Sequence, residues 1–326
     1  MGFCALVVWL VTGRCNLSCR HCYATRFSGL PELSTEEALK VIEGIADVRA
    51  RHLSMTGGEP TLREDLPRLI DEARERGLRV SVFTNALKLA DELMKFLAKR
   101  EVEVHVSIDG ASKETFAKIR GPYFDLVLEK VEKLRGFGAD VKSVMTLSAI
   151  NYHEAGRYVE LCANIGASGA ALIPIIPVGR AVRSIMPTPS MTKEALLLAA
   201  QKAEEVGLNV ELWCSPFAIS FMRSKRVHVS GCIISACMDI APDGSVLLCD
   251  TVDIKVTDVK RGVREAWEKY SKSELVEHLT RPENLKDPCR ACEHASTCLG
   301  GCHSRALAIY GDLMMSDPLC PLASKG

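Results

Sequence analysis

The sequence has no surplus of either charge. Its 326 residues include 41 Lys and Arg against 41 Asp and Glu, so the formal net charge is zero at neutral pH. Proteins that bind nucleic acid or anionic membrane surfaces carry a basic surplus, so we predict neither partner. The N-terminal apolar run, residues 4–12, covers about nine residues and is too short to span a bilayer. It lacks the flanks of a signal peptide, so we predict a cytoplasmic protein.

Cysteine is the residue type that the sequence has in excess. Fourteen Cys in a chain without a signal peptide favour metal binding in a reducing compartment over disulfides. The remaining composition, 47% hydrophobic and 25% charged, is that of an ordinary globular protein. The chain is long enough for one large domain and a smaller one.

Strand and helix patterns alternate over the first half of the chain. A capping box at Ser34–Glu37 begins one helix, and Gly77 and Gly166 end two others. The apolar runs between the helical segments predict six buried strands, at residues 4–12, 52–56, 79–84, 102–108, 141–147 and 170–176. Six β-α units with short links predict a parallel sheet, either open or curled, and we expect an α/β fold with a partial (β/α)6 TIM-like barrel.

The pattern changes beyond residue 182. We assign residues 1–182 to the partial barrel and residues 183–224 to a bridging helix and linker. Residues 225–326 have hairpin signals and dense cysteines, and are expected to form a small cysteine-rich α+β iron–sulfur domain.

The first cysteine array is Cys15-x3-Cys19-x2-Cys22, directly after the first predicted strand. Three thiolates this close suit a [4Fe–4S] cluster, which normally takes four Cys ligands, so one iron would stay open to a small molecule. Cys4 would lie roughly 25 Å away along an extended strand and cannot complete the set. His21 could coordinate or simply pack. A zinc site or buried thiols are the alternatives, although zinc usually takes two pairs of ligands.

The first array resembles the signature of the radical S-adenosylmethionine (SAM) enzymes. Four further matches follow the second, third, fourth and sixth predicted strands in the expected order, and the resemblance covers residues 4–181. These matches are Thr56-Gly57-Gly58-Glu59-Pro60, Thr84-Asn85, Ser107-Ile108-Asp109-Gly110 and Pro177-Val178-Gly179-Arg180-Ala181.

The resemblance implies a role for each of these motifs. Gly57 and Gly58 would let the backbone approach the SAM methionine closely, with Glu59 as the charged acceptor for its amino group. Ser107 and Asp109 would bind the ribose hydroxyls, and Asn85 would support them. Each motif taken singly is also a common turn sequence. Arg120 lies where related enzymes have an Arg, and an exposed ion pair would explain it almost as well.

The second cysteine array contains eight residues. It is similar to the SPASM domain of radical SAM maturases, including the anaerobic sulfatase-maturating enzymes, with Gly244 five residues before Cys249. By this resemblance one auxiliary [4Fe–4S] cluster takes Cys232, Cys237, Cys249 and Cys302. The second takes Cys289, Cys292, Cys298 and Cys320.

Some assignments in the second array stay open. Cys237 is the least certain ligand, because a shorter seven-Cys form of the pattern needs only Cys232 at that end. A zinc ribbon is the alternative for part of the array, with ligands Cys289, Cys292, Cys298 and Cys302. Cys4, Cys162 and Cys214 match nothing in the family pattern, and we expect them to be buried apolar residues.

The resemblance also implies a reaction. The first cluster would reductively cleave SAM to a 5′-deoxyadenosyl radical, which abstracts hydrogen from the substrate, and the auxiliary clusters would accept an electron. Asp250 matches a residue that is proposed to take a proton in sulfatase-maturating relatives; a hairpin cap is the alternative. An electron donor such as ferredoxin or flavodoxin would reduce the enzyme.

Three functions remain open on the sequence. The first is oxidative maturation of a peptide or protein side chain. The second is maturation of a tetrapyrrole or another cofactor precursor, to which the opening residues 8–17 bear some similarity. The third is a non-enzymatic electron-transfer protein, against which the SAM motifs argue. About three residues precede the first predicted strand. By this interpretation of the strands, we expect no N-terminal leader-binding module.

Overall fold

A computed structural model describes residues 4–323 and contains the six predicted β-α units. Each strand lies within two residues of its predicted bounds at either end. The strands are β1 (Leu6–Thr12), β2 (His52–Gly57), β3 (Arg79–Thr84), β4 (Glu103–Ser107), β5 (Asp140–Leu147) and β6 (Gly169–Pro174). The alternation of apolar runs and helical periods therefore located the core of the fold correctly.

The helices between these strands pack their apolar faces against the sheet. They are α1 (Thr35–Asp47), α2 (Leu66–Glu75), α3 (Asp91–Lys99), α4 (Lys113–Arg120), α5 (Phe124–Gly136) and α6 (Ala155–Asn164). The predicted capping box begins α1, where Ser34 Oγ accepts from the Glu37 amide and Glu37 accepts from the Ser34 amide. The sequence did not predict α4. Only three of its side chains are buried, and only two of these, Phe116 and Ile119, are apolar; the third is Thr115.

The six strands are parallel neighbours in sequence order, and further strands extend the sheet at both edges. The added elements are α7 (Pro189–Val206), β7 (Val210–Leu212), β8 (Val227–Val229), β9 (Cys237–Ile240), β10 (Ser245–Cys249), β11 (Val252–Asp258), α8 (Val263–Ser271), α9 (Glu274–Leu279), α10 (Ala295–Cys298) and α11 (His303–Tyr310). The full strand order is β11-β10-β9-β1-β2-β3-β4-β5-β6-β7-β8.

The sheet is curled into a partial barrel. Phe83 on β3 and Trp213 just after β7 bring their ring centroids to 5.9 Å, although three strands separate β3 from β7 in the sheet. His105 on β4 stacks on Phe83 at 4.3 Å. Only a strongly curved sheet brings such side chains together across its concave face. The expected partial barrel is therefore confirmed.

The predicted three-part division stays a prediction, and the sheet crosses both of its boundaries. β7 lies within the segment assigned as bridge and linker, and pairs with β6. β9 lies in the segment assigned to the small domain, yet it pairs in parallel with β1, with Leu6 opposite Cys237. Short strands such as these have too little periodicity to be located from sequence.

The buried apolar side chains form one continuous core from the barrel into the C-terminal region, including Trp9, Leu53 and Trp267. No helix within residues 4–323 has the length and apolar character needed to cross a membrane. The carboxyl ends of β1–β4 meet at one edge of the barrel, where the predicted motifs are found.

Candidate active site

The loop after β1 carries the first cysteine array. Cys15 is exposed, Cys19 is 7% exposed and Cys22 is half-buried. Burial is the main cause that raises the pKa values of Cys15 and Cys19, and the neighbouring thiols raise them further. Thiolates held close together in this way need a cation to remain ionised, which fits a metal cluster.

Residues from distant elements fix the shape of this loop. The Arg180 amide donates to the Cys22 carbonyl at 2.9 Å, and its side chain donates to the Cys19 carbonyl at 3.1 Å. Gly179 has φ +65°, and a Cβ there would lie 2.7 Å from the Cys22 carbonyl oxygen. The motif after β6 therefore supports the cysteine loop, a role that the sequence did not reveal.

The two glycines after β2 also pack against protein backbone. A Cβ on Gly57 would lie 2.3 Å from the Thr12 carbonyl oxygen, and one on Gly58 would lie 2.0 Å from that of Arg14. The Gly58 amide donates to Thr12 and the Glu59 amide donates to Arg14, both at 2.8 Å. These contacts bring the turn against the chain leading to Cys15, and the approach of the two glycines to SAM stays a prediction.

Glu59 is buried in the turn after β2. Its carboxylate is 1% exposed, and its oxygens accept from Thr61 and Thr84 and from the Asn85 amide at 2.7–3.2 Å. Burial raises the pKa of Glu59 above its usual value, although these hydrogen bonds act in the opposite direction. Glu59 thus ties the ends of β2 and β3 together, and its contact with the methionine amino group stays a prediction.

Asn85 lies beside the first cysteine. Its Nδ2 donates to Asn16 Oδ1 at 2.8 Å and lies 4.0 Å from Cys15 Sγ. Ser107 ends β4 and is half-buried, with its exposed part at the same edge of the barrel. These two positions remain predicted SAM contacts.

Asp109 lies at the same edge of the barrel. Its carboxylate is fully buried, forms an ion pair with Arg120, lies 3.2 Å from His21 Nε2 and accepts from the Thr146 amide at 2.6 Å. The Arg120 guanidinium in turn lies 3.7 Å from Cys19 Sγ. Asp109 thus orients Arg120 toward the cysteine loop, and its contact with a ribose hydroxyl stays a prediction. Arg120 is 11% exposed, so the exposed ion pair considered as an alternative does not describe it.

Four cysteines of the second array line one small cavity. They are Cys289, Cys292, Cys298 and Cys320. Cys289 also donates to Ser316 Oγ at 3.1 Å. This grouping matches the set expected for the second auxiliary cluster and suits a fully ligated [4Fe–4S] cube. Cys302, which the zinc-ribbon alternative would require, is not among the residues lining that cavity.

Four other cysteines lie near one another at the carboxyl ends of β7 and β10: Cys214, Cys232, Cys249 and Cys302. The neighbouring Cys214 thiol lowers the pKa of Cys302, and Cys302 also lies near Cys232. Cys214 also lies close to Cys249. Cys237, by contrast, is on β9 and donates to Asp239 Oδ1 at 3.2 Å. Cys214 was expected to be only a buried apolar residue.

A fully buried ion pair organises this region. Arg305 and Asp317 are both 0% exposed, and their atoms approach to 2.8 Å. Arg305 donates to the Cys214 carbonyl, while Asp317 accepts from the Cys302 amide at 2.9 Å. Both charges are satisfied by these bonds, as a buried pair requires. Arg305 and Asp317 are far apart in sequence from Cys214, and no local pattern marked them.

Asp250 joins the two cysteine regions. Tyr23, next to Cys22, donates to Asp250 Oδ2 at 2.6 Å, and the Asp250 amide donates to Asp239 Oδ2 at 2.6 Å. Burial and mutual repulsion raise the pKa of Asp239, and burial raises that of Asp250. One ligand atom from each of Asp239, Cys249 and Asp250 lies within 4.8 Å of the other two.

The geometry agrees with a match to a family model. Residues 9–162 match the model of the radical SAM superfamily, and this range contains the first cysteine array and the turns after β2, β3 and β4. Residues 9–162 therefore form a radical SAM domain. Enzymes of this family bind a [4Fe–4S] cluster and SAM, as predicted from Cys15, Cys19 and Cys22.

Curated relatives align with this radical SAM chain over nearly its whole length. The AdoMet-dependent heme synthase of Methanosarcina barkeri (strain Fusaro / DSM 804) is 29% identical over 97% of this chain and 95% of its own. The PqqA peptide cyclase of Bradyrhizobium diazoefficiens is 25% identical over 99% of this chain and 87% of its own.

Solved structures show the same fold. Native anSMEcpe with bound AdoMet superimposes with a TM-score of 0.76 and 17% identity, over 97% of this chain and 93% of that chain. Streptococcus suis SuiB bound to S-adenosylmethionine gives 0.76 and 15% identity, over 98% and 78%. The predicted resemblance to radical SAM proteins of the SPASM type is confirmed, and the protein is an enzyme rather than an electron carrier.

Proposed function

We propose that this radical SAM enzyme oxidises a carbon side chain of a cofactor precursor, and that a tetrapyrrole is the first substrate class to test. The supporting observation is the alignment with heme synthases, which covers 97% of this chain and 95% of the Methanosarcina relative. The barrel interior adds an aromatic cluster of Phe83, His105 and Trp213, in which the partly exposed rings of Phe83 and Trp213 would pack against a flat conjugated ligand.

Each cofactor has a proposed set of residues. Cys15, Cys19 and Cys22 hold the first cluster, while Asn85, Ser107 and the backbone at Gly57 and Gly58 line the SAM position. When bound, the reduced cluster and SAM supply a 5′-deoxyadenosyl radical that takes one hydrogen atom from the substrate, and the auxiliary clusters take up the remaining electron. Glu59, Asp109, Arg120 and Arg180 shape the surrounding loops.

Two auxiliary [4Fe–4S] clusters are part of this proposal. Cys289, Cys292, Cys298 and Cys320 would hold the second, as their shared cavity supports. Cys232, Cys249 and Cys302 would contribute to the first, together with a fourth thiolate. A ferredoxin- or flavodoxin-type donor would supply the electron that starts each turnover.

The Asp250 carboxylate is proposed to accept a proton from the substrate. Its position between the first cysteine loop and Cys249 supports this role, because Tyr23 orients it from the loop side at 2.6 Å. The variant Asp250→Asn should continue to cleave SAM but form little product. Undiminished product with Asp250→Asn would remove this residue from the proton transfer.

The first experiment compares candidate substrates under anaerobic conditions. Purified enzyme, reconstituted with iron and sulfide, is incubated with SAM, a chemical reductant and iron-coproporphyrin, and 5′-deoxyadenosine and the porphyrin mass are measured together. Cys15→Ala should abolish both signals, whereas Cys162→Ala, a buried thiol on α6 remote from the site, should retain them. Release of 5′-deoxyadenosine without any change in porphyrin mass would count against the tetrapyrrole.

A peptide side chain is the second candidate substrate. The 25% identity with PqqA peptide cyclase over 99% of this chain supports it. The same assay with short peptides encoded near the gene tests it directly. A mass loss confined to a peptide would replace the tetrapyrrole proposal while leaving the radical chemistry unchanged.

A further inference from the structure

Five cysteine thiols lie around the position of the first auxiliary cluster, although a [4Fe–4S] cube takes four. Four of them, Cys232, Cys237, Cys249 and Cys302, are the set implied by the family resemblance, in which Cys237, within β9, is the least certain member. The fifth is Cys214, just after β7. The question is whether Cys237 or Cys214 completes the set.

The contacts favour Cys214. Its thiol neighbours those of Cys302 and Cys249, and Cys232 in turn neighbours Cys302. The Arg305–Asp317 ion pair bridges the backbones of Cys214 and Cys302.

The backbone of Cys214 is held in an unusual conformation. Its φ is +51°, in the left-handed region that residues with a Cβ seldom occupy. The fully buried Arg305 donates to the Cys214 carbonyl, and Asp317, its ion-pair partner, accepts from the Cys302 amide. The same ion pair thus fixes the backbones of Cys214 and Cys302 relative to each other, as ligand loops require.

Cys237 is engaged elsewhere. It lies in the regular part of β9 opposite Leu6 of β1, and its thiol donates to Asp239 Oδ1 at 3.2 Å. Its backbone is fixed by the pairing of β9 with β1, whereas the Arg305–Asp317 ion pair fixes the backbone of Cys214 against that of Cys302.

We propose that Cys214 is the fourth cysteine ligand of the first auxiliary cluster. It completes the set of Cys232, Cys249 and Cys302, and Cys237 remains a thiol that supports Asp239. This inference rests on the auxiliary clusters of the proposed function. It assigns a ligand that lies in the barrel, outside the C-terminal cysteine array.

The test counts iron in a full-length background from which the first cluster is removed. In Cys15→Ala/Cys19→Ala/Cys22→Ala protein, reconstituted anaerobically, two auxiliary clusters correspond to about eight iron atoms per chain. Adding Cys214→Ala should leave one auxiliary cluster with only three thiolates, which should lower the iron content of the protein and change the EPR signal of that cluster. Cys237→Ala in the same background should keep about eight, like the control Cys162→Ala.

A second variant separates ligation from folding. Cys214→Ser keeps the size of the side chain, and an oxygen ligand should shift the EPR signal and the reduction potential of one cluster while circular dichroism stays unchanged. A merely packed thiol would leave both spectroscopic quantities as they are.

The proposal is overturned if Cys214→Ala keeps both the iron content and the EPR signal of the background protein. The iron content of the background itself tests the two auxiliary clusters before Cys214 is changed, and 5′-deoxyadenosine release by the wild-type enzyme tests the radical chemistry separately.

Discussion

Gly58 makes the closest backbone contact in the first cluster region, and its replacement by alanine is the sharpest test of the site. An added Cβ would lie 2.0 Å from the Arg14 carbonyl oxygen and 2.5 Å from its carbonyl carbon. These atoms are backbone and cannot rotate away. Since an ordinary contact needs at least 3.4 Å, the turn and the chain leading to Cys15 must separate by about 1.4 Å.

Two consequences follow from that displacement. The hydrogen bonds from Gly58 to Thr12 and from Glu59 to Arg14 would be lost, at about 1 kcal/mol each, so the free energy of unfolding should fall by about 2 kcal/mol. A displacement of about 1 Å in a reacting geometry typically reduces the rate by about 100-fold. We therefore expect Gly58→Ala to release 5′-deoxyadenosine about 100-fold more slowly.

The matched control is Gly136→Ala. It makes the same chemical change at the end of α5, where an added Cβ has no neighbour within 4 Å. Both variants are assayed anaerobically for iron content, 5′-deoxyadenosine release and denaturant unfolding. Equal rates of SAM cleavage in Gly58→Ala and Gly136→Ala would refute the packing role assigned to this turn.

Three further predictions address other parts of the molecule. Tyr23→Phe removes the hydrogen bond to Asp250, so product formation should fall about tenfold with SAM cleavage retained, and equal losses in both would contradict an orienting role. Arg305→Gln leaves Asp317 buried without its cation, which should lower the free energy of unfolding by about 3–5 kcal/mol; a double-mutant cycle with Asp317→Asn, measured by denaturant unfolding, should show strong coupling. Burial raises the pKa of Glu103, but His105 and Lys142 outweigh it and lower this pKa from 4.5 to about 2. The stabilising contribution of Glu103 is therefore present above pH 4.5 and lost as the pH falls toward 2. The free energy of unfolding of the wild-type protein should exceed that of Glu103→Gln by about 1 kcal/mol less at pH 3.5 than at pH 6. A constant difference between the unfolding midpoints of the two proteins would contradict this.

The sequence predicted the parts of this protein that depend on local patterns. Apolar runs located β1–β6, and cysteine spacing located both arrays, because each signal is contained in a few neighbouring residues. The direction in which a side chain points could not be predicted in this way. Glu59 and Asp109 are turned into the protein by partners on other strands, and those partners carry no mark in the local sequence.

The contact between Cys214 and Cys302 illustrates the same limit. It depends on β7 joining the curled sheet and on Arg305 of α11 reaching back to the Cys214 carbonyl. Neither the pairing of β7 nor the contact made by Arg305 is marked by a helical or strand periodicity in the sequence. A cysteine outside the family spacing therefore looked like an apolar core residue until the fold placed it beside a second thiol.

Through the pairing of β9 with β1, the C-terminal region also covers an edge of the barrel sheet. Without it, β1 would present an open row of amide and carbonyl groups beside the cysteine loop, and open edges of this kind pair with other chains and aggregate. The cysteine-rich region is therefore not a detachable module: shortening the chain at residue 224 would remove the cover of this edge together with the metal ligands. Evolution could change the chemistry of that region, but only while keeping the three strands that shield the barrel.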